Sequence, residues 1–402
     1  MATVRPFAAL RPSSDRAAAV CSVPYDVVST AEARALAGGN PLSFLHVSRP
    51  EIDLPEATDP HADIVYETAG RNFERLRREA PLTMEAAPAL YVYRLRMGDH
   101  VQTGIAGCCS VDEYDRDIIR KHERTRQDKE DDRTRHMATL RSQTGPVFMT
   151  YRAVPAIDAL VSEVTAAPPM FDVTAPDGVT HTIWKAPEAA TKRLSELFGG
   201  VPLLYIADGH HRAASASRAR ALLKTDESGS FLSVVFPSNQ LRILAYNRVV
   251  KDLSGRTPAK FLAELKASLP VHESAPPEPA RRGEVSMYLD GRWHGLTLSP
   301  GGEGVRADTA SLDVSRLQER VLEPLLGIGD VRTDKRIDFV GGIRGATELS
   351  RLVDGGHAAV AFSMHPVSLD DLMAVSDAGG IMPPKSTWFE PKLRDGFLCH
   401  MI

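Results

Sequence analysis

Cysteine is scarce: the 402-residue chain holds four, Cys21, Cys108, Cys109 and Cys399. Two are adjacent, which suits neither a disulfide framework nor the Cys-x-x-Cys spacing of a zinc site. Reduced, mostly buried thiols are therefore expected. Long apolar runs are missing too. No stretch approaches the roughly 18 apolar residues of a spanning helix, and Met1 to Leu10 lacks the apolar core of a secretory leader. Positive charge is not in surplus, since 48 Lys and Arg face 52 Asp and Glu for a net charge of −4. Non-specific attraction to nucleic acid needs such a surplus. The expectation is a soluble cytoplasmic protein with a small-molecule substrate and neither nucleic acid nor membrane as partner. Oligomeric state is left open.

What is present is ordinary for a globular chain, 43% hydrophobic and 25% charged. The length allows two or three packed units. Turn chemistry marks three hairpins: 90–96 with 101–108 around Gly98-Asp99, 170–174 with 179–185 around Asp177-Gly178, and 285–289 with 293–298 around Asp290-Gly291. Residues 30–37 read as a helix capped by Ser29 or Thr30 and closed by Gly38-Gly39, and 64–77 carry helical periodicity. Residues 43–48 look strand-like. The fold class is α+β, with mixed sheets, several hairpins and packed helices. The Pro- and charge-rich run 273–284 is the best linker, giving regions 1–272 and 285–402.

Three clusters could carry chemistry. The run 121–133 has no apolar residue; as one helix it would align His122, Arg126, Lys129 and Arg133, with Glu123, Gln127 and Glu130 in a neighbouring stripe. It is either a solvated helix stitched by ion pairs or a polar wall facing a ligand. The second cluster is sharper: a buried strand to Ala207, then Asp208-Gly209-His210-His211-Arg212, then a helix rich in Ala and Ser. Strand, tight glycine turn and helix N-terminus concentrate unpaired N–H groups on an anion, and Arg212 can add a fork. In the third, Pro383-Pro384 fix the backbone ahead of Lys385, Ser386 and Thr387, which suit a phosphate or carboxylate. A weaker glycine-rich run, Phe339 to Gly345, lacks both the Lys-Ser/Thr ending of a P-loop and the Rossmann spacing.

Several stretches together resemble one family. They are Val23-Pro24-Tyr25-Asp26-Val27-Val28-Ser29, Asn40-Pro41, Arg49-Pro50-Glu51-Ile52-Asp53, Lys121-His122-Glu123 through Arg133, Ala207 to Arg212, and Pro383-Pro384-Lys385-Ser386-Thr387-x-Phe389-x-Pro391-Lys392. The resemblance is to the bacterial and archaeal domain of unknown function 1015, over nearly the whole chain. The Asp208 to Arg212 turn is also similar to the phosphate motif of the ParB/sulfiredoxin superfamily, whose free serine kinases make O-phospho-L-serine from L-serine and ADP or ATP with magnesium. That resemblance implies a ParB/sulfiredoxin-like core and a small-molecule kinase. Asp208, Gly209, His210, His211, Arg212, Lys129 and Arg133 would then bind nucleotide phosphates. Glu123 would be the base, with His122 and Arg126 beside it, Glu130 and Asp132 for magnesium, and Lys385, Ser386, Thr387 and Glu51 for the substrate. Alternatives are a phosphohydrolase of small phosphate esters and a non-enzymatic nucleotide-binding switch. Sulfiredoxin chemistry fits poorly, because His210 stands where it needs cysteine.

Overall fold

The computed structural model describes residues 1–299 and 308–402. Its chain forms two compact units, the first comprising Met1–Lys121, Thr125–Leu241 and Pro391–Ile402, the second His122–Arg124 and Arg242–Glu390. The division falls at Leu241, while the run 273–284 connects two strands of the same sheet inside the second unit. No helix among the described residues is long and apolar enough to cross a membrane.

The first unit is built on a nine-stranded mixed sheet. Its path runs Ile119–Arg120, Leu204–Asp208, Val147–Tyr151, Ser230–Pro237, His100–Ser110, Tyr91–Met97, Thr180–Lys185 and Phe171–Thr174, with Val4–Arg5 added beside His100–Ser110. Two of the expected hairpins are in it, Tyr91–Met97 with His100–Ser110 and Phe171–Thr174 with Thr180–Lys185. Leu204–Asp208 pairs parallel to Ile119–Arg120 and antiparallel to Val147–Tyr151, and its register shifts between Ile206 and Asp208. Such a bulge bends a strand and re-aims the residues at its end. Here it precedes the Asp208-Gly209 turn. Val92, Ile105, Met149, Ile206 and Val235 from the sheet meet Ala213, Ala216 and Ala219 of the helix His210–Leu223 in one core. Alanine at these positions lets the helix lie close to the strands.

Two local expectations give way. Residues 121–133 are not one helix: the helix is Gln127–Leu140, and Arg126 ahead of it is extended, φ −100° and ψ 133°. The segment before it has no apolar residue to anchor a further turn, and Thr134, His136, Met137 and Leu140 supply the buried face instead. Residues 43–48 carry a short helix, Leu45–Ser48, rather than a strand. Phe44 and Val47 bury three positions apart in the cluster with Val20 and Phe73, which is a helical spacing. The helices Thr30–Ala37, with Ser29 and Glu32 forming a capping box, and Asp63–Glu79 match the sequence pattern. A small sheet ties Ala9–Arg11 to Thr83–Met84 and to the C-terminal Cys399–Met401.

The second unit holds a six-stranded antiparallel sheet, ordered Val271–Glu273, Arg292–Thr297, Glu284–Leu289, Val360–Met364, Tyr246–Val250 and Ile337–Gly341. Its hairpin at Asp290-Gly291 is the third expected one; both residues have positive φ, as a two-residue hairpin turn requires. Val249, Val340, Ala361 and Leu349 form a core under the helix Gly345–Asp354. Gly341 is glycine for packing: a Cβ there would meet the Trp388 ring at 2.7 Å. A two-stranded ribbon joins Arg242–Leu244 to Trp388–Glu390.

Candidate functional site

In the first unit the bulged strand ends at Asp208, and Gly209 turns the chain in the left-handed region, φ 95° and ψ 30°. The helix opens at His210, so the N–H groups of its first turn have no partner within the helix. A Cβ at residue 209 would stand 3.0 Å from Arg212 Nε and Cζ, so glycine serves both the turn and the guanidinium packed against it.

Arg212 is the centre of the arrangement, 4% exposed. Its Nη1 donates to the Pro146 carbonyl, and its Nη2 lies 3.3 Å from Asp208 and 3.8 Å from Asp26. Its buried Nε has no hydrogen-bond partner, and an unsatisfied buried donor costs free energy unless a ligand or water accepts from it. Burial works against the charge of Arg212, but Asp26 and then Asp208 raise its basicity, so it stays a cation. Asp208 in turn accepts Lys392, 3.5 Å away. Burial opposes its ionisation, yet Lys392 first and Arg212 next hold its carboxyl well below the usual carboxylate range. Asp395, 2% exposed, is fixed by backbone pairing with Ser22. Burial, opposed by Arg212 and reinforced by Asp26, pushes its carboxyl up to about 7.

The floor of this cluster comes from 24–29 and the helix Gln127–Leu140. The Arg133 guanidinium sits over the Tyr25 ring at 4.2 Å, a cation–π contact, and pairs with Asp132 at 2.8 Å. Tyr66 donates to Asp132 from the other side at 2.8 Å. Arg49 donates to the carbonyls of Tyr25 and Val28 and to Thr30, while Glu51 pairs with Arg49 at 2.7 Å. Glu51 therefore stiffens the loop that presents Asp26.

Of the residues chosen from sequence, Asp208, Gly209, His210, His211 and Arg212 form the turn as expected from strand, glycine and helix. His211 has a different task from donating to phosphate through Nε2, because that atom accepts the backbone N–H of Arg126 at 3.1 Å. Arg126 itself forms a surface pair with Asp128, and Lys129 is exposed. Glu130 and Asp132, assigned to magnesium, point to different partners: Glu130 to Thr125 and Arg218, Asp132 to Arg133 and Tyr66. Each carboxylate would have to leave an arginine to ligate a cation. In the second unit His122 and Thr387 come together, Thr387 Oγ1 and His122 Nε2 at 3.4 Å, and Met382 N–H donates to the His122 carbonyl. Ser386 donates to the Pro383 carbonyl, which closes that turn, and Lys385 adopts φ 57°. Glu123 belongs to the same unit.

Sequence reasoning gives Asp26 and Lys392 no role and passes over Asp395 and Arg394. Only long-range contacts reveal them. Arg394 is an example: it pairs with Asp177 and donates to His181 Nε2, whose Nδ1 meets the Tyr93 hydroxyl at 2.9 Å. That buried chain fastens the C-terminal segment beside Asp208.

The turn thus combines a buried guanidinium whose Nε–H is open, a helix N-terminus and a left-handed glycine. The chain belongs to the family described as Protein of unknown function (DUF1015), which its sequence matches over residues 4–315. Among curated proteins no sequence matches it. Solved structures similar to it include a free serine kinase in complex with AMP, at 15% identity and TM-score 0.37, covering 71% of this chain and 86% of that one. A conserved hypothetical protein from Pyrococcus furiosus gives 15% identity and TM-score 0.37, over 73% of this chain and 93% of that one. SbnI from Staphylococcus aureus, truncated at its C-terminus, gives 14% identity and TM-score 0.36, over 72% and 84%.

Proposed function

We propose that the first unit binds the phosphates of ATP or ADP at the turn from Asp208 to Arg212, and that the protein is a phosphotransferase acting on the hydroxyl of a small substrate such as free L-serine. The observation that carries the reading is the unfilled Nε of the buried Arg212, beside the first-turn N–H groups of the helix His210–Leu223. A phosphate oxygen offers the acceptor that the Arg212 Nε–H lacks, and a helix N-terminus favours its charge. Lys392 adds positive charge at Asp208, and Arg133 acts on Asp395. Phosphoryl transfer asks mainly for positioning and charge neutralisation, which this set can supply.

Serine as acceptor and magnesium as cofactor rest on the motif resemblance. Glu123 is kept as the candidate general base because attack by a hydroxyl needs a positioned carboxylate, with Glu130 or Glu51 next. Nucleotide, magnesium and L-serine incubated with the protein should yield O-phospho-L-serine by mass spectrometry. Release of inorganic phosphate from small phosphate esters, with no phosphorylated amino acid, would replace the kinase with a hydrolase.

A further inference from the structure

The second unit contains a buried cation without a counter-charge. Arg248 lies in the strand Tyr246–Val250 and is 3% exposed. Its Nη1 donates to the Tyr246 carbonyl and its Nη2 to the Lys385 carbonyl at 3.2 Å. Among the described residues no carboxylate pairs with it. Two carbonyl dipoles do not neutralise a full charge, and buried charges are ordinarily paired. Burial accordingly pulls the guanidinium down to about 10, against a small opposing effect of Tyr246.

Around this cation stand aromatic rings that are only half-buried. The Arg248 guanidinium lies 5.7 Å from the Phe339 ring centre; Tyr246 meets Phe339 edge-on at 6.0 Å and Trp388 at 5.1 Å. The Lys385 ammonium lies 5.3 Å from the Tyr246 ring. A buried positive head beside a cluster of half-buried aromatic rings matches a molecule with one negative end and an apolar body. We propose that the second unit binds a small carboxylate there, its carboxylate on Arg248 and its body against Tyr246, Phe339 and Trp388. A carboxylate fits better than a phosphate dianion, because two of the five guanidinium N–H groups are already spent on carbonyls and one charge needs one counter-charge. The proposal is independent of the phosphate reading of the first unit.

Trp388 reports on this place. The full-length protein is titrated with butyrate at constant pH and ionic strength while tryptophan emission is followed, and Trp388→Phe identifies the part that Trp388 contributes. A saturable change is expected in the wild type. Arg248→Met, which keeps much of the volume, should weaken it about tenfold or more, the scale of a lost charge-assisted hydrogen bond. Arg248→Lys keeps the charge and should retain weakened binding, which guards against misfolding of the Met variant. Equal butyrate titrations in wild type and Arg248→Met, or no saturable change in the wild type, would overturn the proposal. Saturation by inorganic phosphate alone would overturn the carboxylate assignment.

Discussion

The ammonium of Lys392 lies 3.5 Å from the Asp208 carboxylate. This contact joins the C-terminal Pro391-Lys392 motif to the strand that ends in the Asp208-Gly209 turn, with Arg212 shared between Asp208 and Asp26. The site is thus held by alternating charges, with the Arg212 Nε as its open donor.

Gly209 is the first position to test. With φ 95° and a Cβ that would press on Arg212 at 3.0 Å, Gly209→Ala should lose about 1–2 kcal/mol of stability from left-handed strain alone. Urea unfolding measures that loss. Nucleotide affinity should fall as well, because the methyl group displaces the guanidinium. An Ala variant as stable as wild type, with unchanged affinity, would mean that the turn is not shaped as described.

Asp395 gives the site a pH dependence. Its carboxyl, pushed up to about 7, is neutral below that pH and adds a negative charge above it. Nucleotide affinity should therefore fall as pH rises from 6 to 8, and Asp395→Asn should flatten the fall. The nucleotide's own ionisation is common to both proteins, so calorimetric titrations of the pair isolate the Asp395 contribution. Parallel profiles would remove Asp395 from the site.

Two buried histidines set the acid side of stability. Burial, then Arg133, lowers His136 to about 4, and burial, then Arg394, lowers His181 to about 3, against an ordinary value of 6.5. The unfolded chain binds protons below 6.5 that the native state refuses, so their contribution is full above that pH and lost on acidification, at roughly 1.4 kcal/mol per pH unit per histidine. Asp395, with its raised value, acts in the opposite sense between about 7 and 3.8. Burial lowers His400 and His294 in the same sense, so the expectation is a loss of at least about 1.4 kcal/mol per unit between pH 6.5 and 5. Urea unfolding at pH 7, 6 and 5 checks it; stability that rises toward pH 5 would contradict it.

Much of this arrangement is legible in local sequence. Gly98-Asp99, Asp177-Gly178 and Asp290-Gly291 place three hairpins because turn backbone conformations are local, and Asp208-Gly209 between an apolar strand and an alanine-rich helix marks the turn. Other features depend on contacts that no local pattern encodes. The Tyr25 ring under Arg133, Lys392 on Asp208 and the Arg394–His181–Tyr93 chain each join distant segments. The polar run 121–133 is ambiguous because charge patterns do not say where a helix begins. The buried Thr134, His136 and Met137 decide that.

Glu123 and Glu51 separate two choices of base. A positioned carboxylate accelerates attack by a hydroxyl about 100- to 10,000-fold. Glu123→Gln should keep nucleotide binding and lose phosphoserine formation by that factor. Glu51→Gln, which loosens Arg49 and the loop bearing Asp26, should weaken nucleotide binding as well. If Glu123→Gln transfers at the wild-type rate while Glu51→Gln does not even at saturating nucleotide, Glu51 takes the role of base.

The most direct measurement is calorimetric titration of ADP into wild type and Arg212→Lys. Lysine keeps the charge but loses the planar fork and the Nε–H. If the turn holds nucleotide phosphates, wild type binds and the Lys variant, still folded, binds about 10- to 100-fold more weakly, the scale of one or two charge-assisted hydrogen bonds. Equal affinity in the two folded proteins, or no binding of ADP or ATP by wild type, would contradict the assignment.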